Sequence, residues 1–191
     1  LSAKSLGGGK SSIASYTCKK FLFEKAYDNL RDATLHSTTY NGFGEETITA
    51  IEAINIMIED DYENKSKNIG VYISSSLKKI KDKHPNIIEE IRGQGCLQGI
   101  VLTTGIMENI FKSIRSIIPI SFLKDKLAIK KIIVSSIIYH LYEKYNILTF
   151  YGSNTGIPLK VAPSLIVNKE EVDYFMSSLD KTLEMGIKNL K

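Results

Sequence analysis

Apolar residues recur three and four positions apart along this chain, and short unbroken apolar runs lie between those stripes. The two rhythms together restrict the fold to mixed helix and strand. Ile48, Ile51, Ile54 and Ile58 make one stripe, with Glu45 and Glu46 ahead of it, where the positive end of a helix dipole favours carboxylates. Ile69, Ile73, Leu77 and Ile80 make a second, over a helix from about Ser66 to Lys81 that His84-Pro85-Asn86 ends. Val172, Phe175, Leu179, Leu183 and Ile187 make a third, opened by Asn168 as N-cap with Glu170 and Glu171 behind it. Residues 106–118 and 124–145 read as two helical stretches around Pro119, with Ile133, Ile137, Leu141 and Tyr145 on one face of the second. A shorter helix from Lys19 to Leu30 would turn Phe21, Leu22, Ala26 and Leu30 inward.

Strand-like segments fill the gaps. They are Ile13 to Tyr16, Ile87 to Arg92, Cys96 to Leu102, Ile147 to Tyr151 and Leu159 to Ala162. Gly93-Gln94-Gly95 joins the second to the third, and a Gly-Ser-Asn-Thr-Gly turn separates the last two. The near-continuous apolar run at Val101-Leu102 implies a sheet covered on at least one face. The charged stretch Asp60 to Lys67 breaks the pattern and is the natural domain boundary, giving residues 1–62 and 63–191. The class is α/β or α+β.

At 191 residues, with 43% hydrophobic and 24% charged content, the composition is that of a globular protein and excludes a disordered or collagen-like chain. No apolar run approaches the roughly 20 residues of a membrane helix, so no membrane partner is expected and the cytoplasm is the expected location. The net charge of +4 comes from lysines spread over polar helix faces, which argues against a nucleic-acid partner. Cys18 and Cys96 make neither a disulfide framework nor a CxxC pair, and Cys96 reads as a small buried hydrophobe. His36, His84 and His140 lack metal-ligand spacing, so no metal is expected. His84 reads as a surface cap, and His140 as solvent-facing or satisfied in the core.

The chemistry-bearing residues begin at the start of the chain. Leu1-Ser2-Ala3-Lys4-Ser5-Leu6-Gly7-Gly8-Gly9-Lys10 carries a glycine run with no element before it, which reads as the later part of a longer protein. A phosphate-binding P-loop is excluded by spacing: it needs a glycine five residues before Gly9, and that position is Lys4. The residues alone leave Lys4 open between a surface lysine ahead of a flexible turn and a nucleophilic amine, whose pKa burial and neighbours would lower.

Lys4-Ser5-Leu6-Gly7-Gly8 resembles the Schiff-base lysine segment of the class III pyridoxal-phosphate aminotransferases. His36-Ser37-Thr38-Thr39-Tyr40-Asn41-Gly42 is similar to that family's hydroxyl-rich loop, which precedes a long interface helix and hydrogen-bonds the cofactor phosphate of the other subunit. Phe43-Gly44 stand where many members have Asn-Pro, which suggests a different entry into the helix. Ile91-Arg92-Gly93-Gln94-Gly95-Cys96-Leu97 resembles a structural Arg-Gly-x-Gly segment of the C-terminal domain. Pro158-Leu159-Lys160-Val161-Ala162-Pro163-Ser164-Leu165 resembles a segment whose arginine grips the substrate α-carboxylate. Here Lys160 stands for that arginine and Ser164 for the usual second proline. Lysine offers a point charge in place of a planar fork. A substrate without a carboxylate there, a looser grip and an impaired protein all fit.

The resemblance implies an α/β fold of the PLP-dependent fold type I. Residues 1–62 would end the large cofactor domain, and 63–191 would form the small α+β C-terminal domain. It implies pyridoxal 5'-phosphate as cofactor and Lys4 as both its anchor and the general base of the 1,3-proton shift. Thr39, with Thr38 in support, would hold the phosphate of the partner in a homodimer, and Lys160 would contact the substrate carboxylate. The expected reaction is transamination between an amino donor and a keto acid or aldehyde. An aminomutase or decarboxylase on the same scaffold, and a non-catalytic fragment acting as a structural partner, fit the same residues. The family's first-half elements have no counterpart here, so the N-terminal half of the same protein is an expected partner.

Overall fold

A computed structural model describes residues 1–32, 34–42, 44–103, 125–152 and 156–185. The helical stretch 106–118, the residues of the turn at 153–155 and Ile187 lie outside the described residues. The chain divides into two compact units, Leu1–Glu63 and Asn64–Lys191.

In the first unit, strands β1 (Ser2–Ala3) and β2 (Ala14–Ser15) pair antiparallel, with Ser2 opposite Ser15 and Ala3 opposite Ala14. They clamp the base of a loop that starts with a 3₁₀ turn over Lys4–Gly7. Gly8 ends that turn in the left-handed conformation, φ 60°, and its N–H donates to the Ser5 carbonyl at 2.9 Å. Helices α1 (Lys20–Ala26) and α2 (Gly44–Glu59) follow.

The structure corrects one expectation in this unit and adds one finding. Helix α1 ends at Ala26, short of Leu30, and Phe21, Leu22, Ala26 and Leu30 are all exposed. Helix α2 forms where its stripe implies, with Glu45 and Glu46 in the first turn, yet Ile48, Ile51, Ile54 and Ile58 are 42–72% exposed. Its buried residue is Ala50. The reason is steric. The face of α2 that meets the glycine turn has to be small, and a Cβ built on Gly8 would lie 3.1 Å from the Ala53 Cβ. Isoleucine does not fit there, so the isoleucines face away.

In the second unit three helices cover one face of a four-stranded antiparallel sheet. The strands are β3 (Ile88–Gln94), β4 (Leu97–Leu102), β5 (Phe150–Tyr151) and β6 (Leu159–Val161), in spatial order β3-β4-β6-β5. The helices are α3 (Tyr62–Lys83), α4 (Lys126–Tyr145) and α5 (Lys169–Glu184). Ile73 and Leu77 of α3, Ile133, Val134, Ile137 and Leu141 of α4, and Val172 and Leu179 of α5 meet Ile100, Leu102 and Leu159 of the sheet. Burying one such side chain contributes about 1.5–3 kcal/mol, which makes this the main source of the unit's stability. Asp125 caps α4 by accepting from the N–H groups of Leu127 and Ala128. Asn168 and Glu171 form a reciprocal capping box at the start of α5. Cys96 is buried, as its reading as a small hydrophobe requires.

Several details differ from the sequence reading: α3 starts at Tyr62, inside the charged stretch, and β5 is limited to Phe150–Tyr151. Strand β3 runs through Gly93 and Gln94, so the β3–β4 turn falls at Gly95-Cys96. Gly93, at φ 136°, approaches β4 so closely that a Cβ there would lie 2.2 Å from the Leu97 carbonyl oxygen. His84 is buried instead of capping at the surface. Its Nε2 lies 2.7 Å from Asp180 Oδ1 of α5, and Lys83 Nζ reaches Oδ2 of the same carboxylate at 2.6 Å. Burial opposes the Asp180 charge, but hydrogen bonds from Lys83 and His84 outweigh it and hold the carboxyl below its ordinary pKa. His140 is half-buried; its ring packs edge-on against Tyr145, and its Nε2 has no hydrogen-bond partner among the described residues.

Candidate active site

Lys4 is the first residue of the 3₁₀ turn and takes φ 59°. A side chain in this left-handed region is strained, and such strain persists where the surrounding structure over-determines it, often at functional sites. Here the β1–β2 clamp precedes Lys4, and the turn it opens packs on α2. The Lys4 side chain is exposed, and among the described residues its ammonium has neither a hydrogen-bond nor an ion-pair partner. The glycines that follow present bare backbone. A Cβ on Gly7 would lie 2.8 Å from Ser11 Oγ, whereas one on Gly9 would meet nothing within 4 Å. One side of the turn is therefore packed and the other open.

Thr38 and Thr39 lie in the turn-rich segment before α2, both exposed. Thr38 Oγ1 donates to Asn41 Oδ1 at 3.1 Å, and Asn41 Nδ2 donates to the His36 carbonyl at 3.0 Å. His36 is itself held by the Tyr27 hydroxyl, with ring centroids 5.6 Å apart. These bonds shape the loop from inside. The Thr39 hydroxyl has no partner among the described residues. No hydrogen bond joins Lys4 to Thr38 or Thr39 among the described residues.

Lys160 belongs to the second unit, in the middle of β6. Its neighbours Leu159 and Val161 point into the helix-covered core, so strand alternation turns Lys160 to the opposite face of the sheet. Thr149 donates to its carbonyl oxygen. Lys160 borders a largely apolar cavity of about 700 Å³, walled by Leu148, Phe150, Ala162, Phe175 and Met176. The pairing register sets Phe150, Lys160, Gly99 and Arg92 in one row across all four strands. Alternation along β3 puts Arg92 on the outer face, but only the register aligns it with Lys160.

The donors suit a phosphate-bearing aldehyde. Lys4 supplies a primary amine without a competing carboxylate, and Thr39 a hydroxyl without a protein partner. Among the described residues no cluster of His, Cys, Asp and Glu could hold a metal ion, and no helix is long and apolar enough to cross a membrane.

A profile of the aminotransferase class-III family matches residues 1–183. The aminotransferase PigE of Serratia sp. is 24% identical, over 92% of this chain and 23% of its own length. An uncharacterized aminotransferase of Schizosaccharomyces pombe is 21% identical, over 95% of this chain and 34% of its own. The crystal structure of a Bacillus anthracis aminotransferase superposes with a TM-score of 0.72 at 18% identity, covering 96% of this chain and 38% of that one. The chain thus spans about a quarter to a third of the curated relatives it matches. The α/β architecture is that of fold type I.

Proposed function

Because this chain belongs to the class-III aminotransferases, we propose that it carries the lysine-bearing part of a pyridoxal-phosphate transaminase. The substrates are an amino donor and a keto acid or aldehyde, and the reaction moves the amino group between them. The observation that carries this reading is Lys4, an unpaired amine held at φ 59° against a glycine turn. Pyridoxal 5'-phosphate, when bound, supplies an electron sink for the carbanion that forms at the substrate α-carbon.

The chain's own residues do the rest. Lys4 Nζ would hold the aldehyde carbon of the cofactor and would serve as the base for the proton of the substrate α-carbon. Thr39 Oγ1 would donate a hydrogen bond to the phosphate of the partner subunit's cofactor, with Thr38 fixing the loop through Asn41. Lys160 contacts the substrate carboxylate as a point charge on the outer sheet face. Leu1–Glu63 is the end of the large cofactor domain in this reading, and Asn64–Lys191 the small C-terminal domain. The exposed isoleucines of α2 would form the interface with the partner subunit and the N-terminal half, since they lie on one helix face with nothing packed over them among the described residues.

The test is spectroscopic. The full-length protein with added pyridoxal phosphate is expected to develop a visible absorbance band that borohydride abolishes and that Lys4→Ala lacks. A band of equal intensity in Lys4→Ala would refute the assignment.

A further inference from the structure

Four residues other than glycine take a positive φ among the described residues, and two of them have a plain reason to do so. Asn146 ends α4 in the left-handed conformation and Asp61 stands between α2 and α3; both are residue types that tolerate it. Lys4 opens the glycine turn. The fourth, Ile157 at φ 44°, breaks two rules at once. Its side chain branches at Cβ, which makes this region a genuine outlier for it, and it precedes Pro158, whose ring favours extended backbone in the residue before it. Such a conformation persists only where its surroundings over-determine it.

The surroundings do so from both sides. The Ile157 side chain is 1% exposed and belongs to the core under the helices. The Pro158 ring lies among three glycines. A Cβ built on Gly99 would be 3.3 Å from the proline Cβ, one on Gly152 3.7 Å from its Cγ, and one on Gly156 3.8 Å from its Cδ. The Pro158 carbonyl accepts from the Gly152 N–H at 2.9 Å. Leu159 then points inward and Lys160 outward, so Pro158 and Lys160 are neighbours on the outer face. Gly99 pairs directly with Lys160, and the Pro158 ring covers it. The Lys160 stem therefore cannot lie over Gly99. It is left the Phe150 side of the row, where the cavity opens.

We propose that Ile157 is a positioning residue for Lys160. Anchored in the core at a strained backbone, it seats Pro158 over Gly99 and so directs the Lys160 ammonium toward the cavity, where it meets the substrate carboxylate. The inference rests on the reading of Lys160 as a carboxylate contact and deepens it. A point charge on a flexible stem lacks the fixed geometry of an arginine fork, and the proline wall supplies direction that the side chain itself does not.

The experiment is calorimetric titration of the full-length protein with glutarate at low ionic strength, each variant below its unfolding midpoint. Ile157→Gly removes the anchor and relaxes the backbone, Ile157→Val keeps both features, Pro158→Ala removes the wall alone, and Lys160→Gln removes the charge. Lys160→Gln should bind about tenfold more weakly, about what the loss of one charged hydrogen bond represents. Ile157→Gly and Pro158→Ala should each bind about fivefold more weakly, a loss of preorganisation, with Ile157→Val within about twofold of wild type. Added to Lys160→Gln, Ile157→Gly should weaken binding no further, because it acts through the amine. A general loss of packing would weaken binding by the same factor with and without that amine, and this result overturns the positioning role. Wild-type affinity in Ile157→Gly with loss in Lys160→Gln overturns it too and leaves the Lys160 reading standing. Should Ile157→Gly not fold, Pro158→Ala, alone and combined with Lys160→Gln, decides by the same comparison. Wild-type affinity in Lys160→Gln, or no binding of glutarate by the wild type, overturns the Lys160 reading and the role of Ile157 with it.

Discussion

Replacing Gly70 by alanine sets two effects of known sign against each other. Gly70 lies inside α3, where alanine is favoured over glycine by about 1 kcal/mol. It also touches the β3–β4 turn: an added Cβ would sit 2.4 Å from Gly95 Cα, 2.6 Å from its carbonyl carbon and 2.8 Å from its oxygen. These atoms are backbone and cannot rotate aside. Reaching an ordinary contact of 3.4 Å requires the turn and the helix to separate by about 1 Å. Forcing extra volume into a packed contact costs about 1–3 kcal/mol, and a clash with backbone falls at the upper end. The clash wins, by about 2 kcal/mol. Urea unfolding followed by far-ultraviolet circular dichroism should show a midpoint lower by about 1 M, given slopes of about 1–3 kcal/mol per molar. Val71→Ala, one residue along on the exposed side, should leave the midpoint within the range of ordinary surface changes. A midpoint for Gly70→Ala at or above wild type would show that the helix does not press on the turn. The register that aligns Arg92, Gly99 and Lys160 would then lack its support.

Two further outcomes follow from the contacts around α5. Asn168→Ala removes one half of the capping box, in which Asn168 Oδ1 accepts from the Glu171 N–H at 2.8 Å, and should lower stability by about 1 kcal/mol in the same unfolding assay. Asp180 has its carboxyl held below the ordinary value, so its contribution is present above the unfolded-state pKa of about 3.9 and is lost as pH falls through the folded one. The gap in urea midpoint between wild type and Asp180→Asn should therefore be open at pH 7 and close as the pH drops below about 4. A gap independent of pH would contradict the His84–Asp180–Lys83 clasp.

Local pattern carried much of the second unit and less of the first. Ile73, Leu77 and Ile80 are buried as their spacing implies, because α3 lies on a sheet that covers the whole stripe. Asn168 caps α5 because a capping box needs only residues within one turn. The isoleucines of α2 obey the same spacing and are exposed, since periodicity identifies an apolar face but not what covers it. His84 was legible as the end of α3 but not as a buried group, because its partner Asp180 is 96 residues away. Lys4, Thr38, Thr39 and Lys160 could be singled out only through short motifs whose chemistry is known. Neither composition nor periodicity marks them. The alignment of Arg92, Gly99 and Lys160 in one row needed the strand register, which depends on where the β3–β4 turn falls, and that turn lies at Gly95-Cys96 instead of Gly93-Gln94-Gly95.

Everything proposed for this chain turns on Lys4 Nζ being the atom to which the cofactor is joined. Borohydride reduction of the full-length protein with pyridoxal phosphate, followed by peptide mass mapping, tests it most directly. A phosphopyridoxyl group is expected on the lysine that precedes Ser5-Leu6-Gly7. That peptide recovered unmodified, with the label on another lysine or on none, would contradict it.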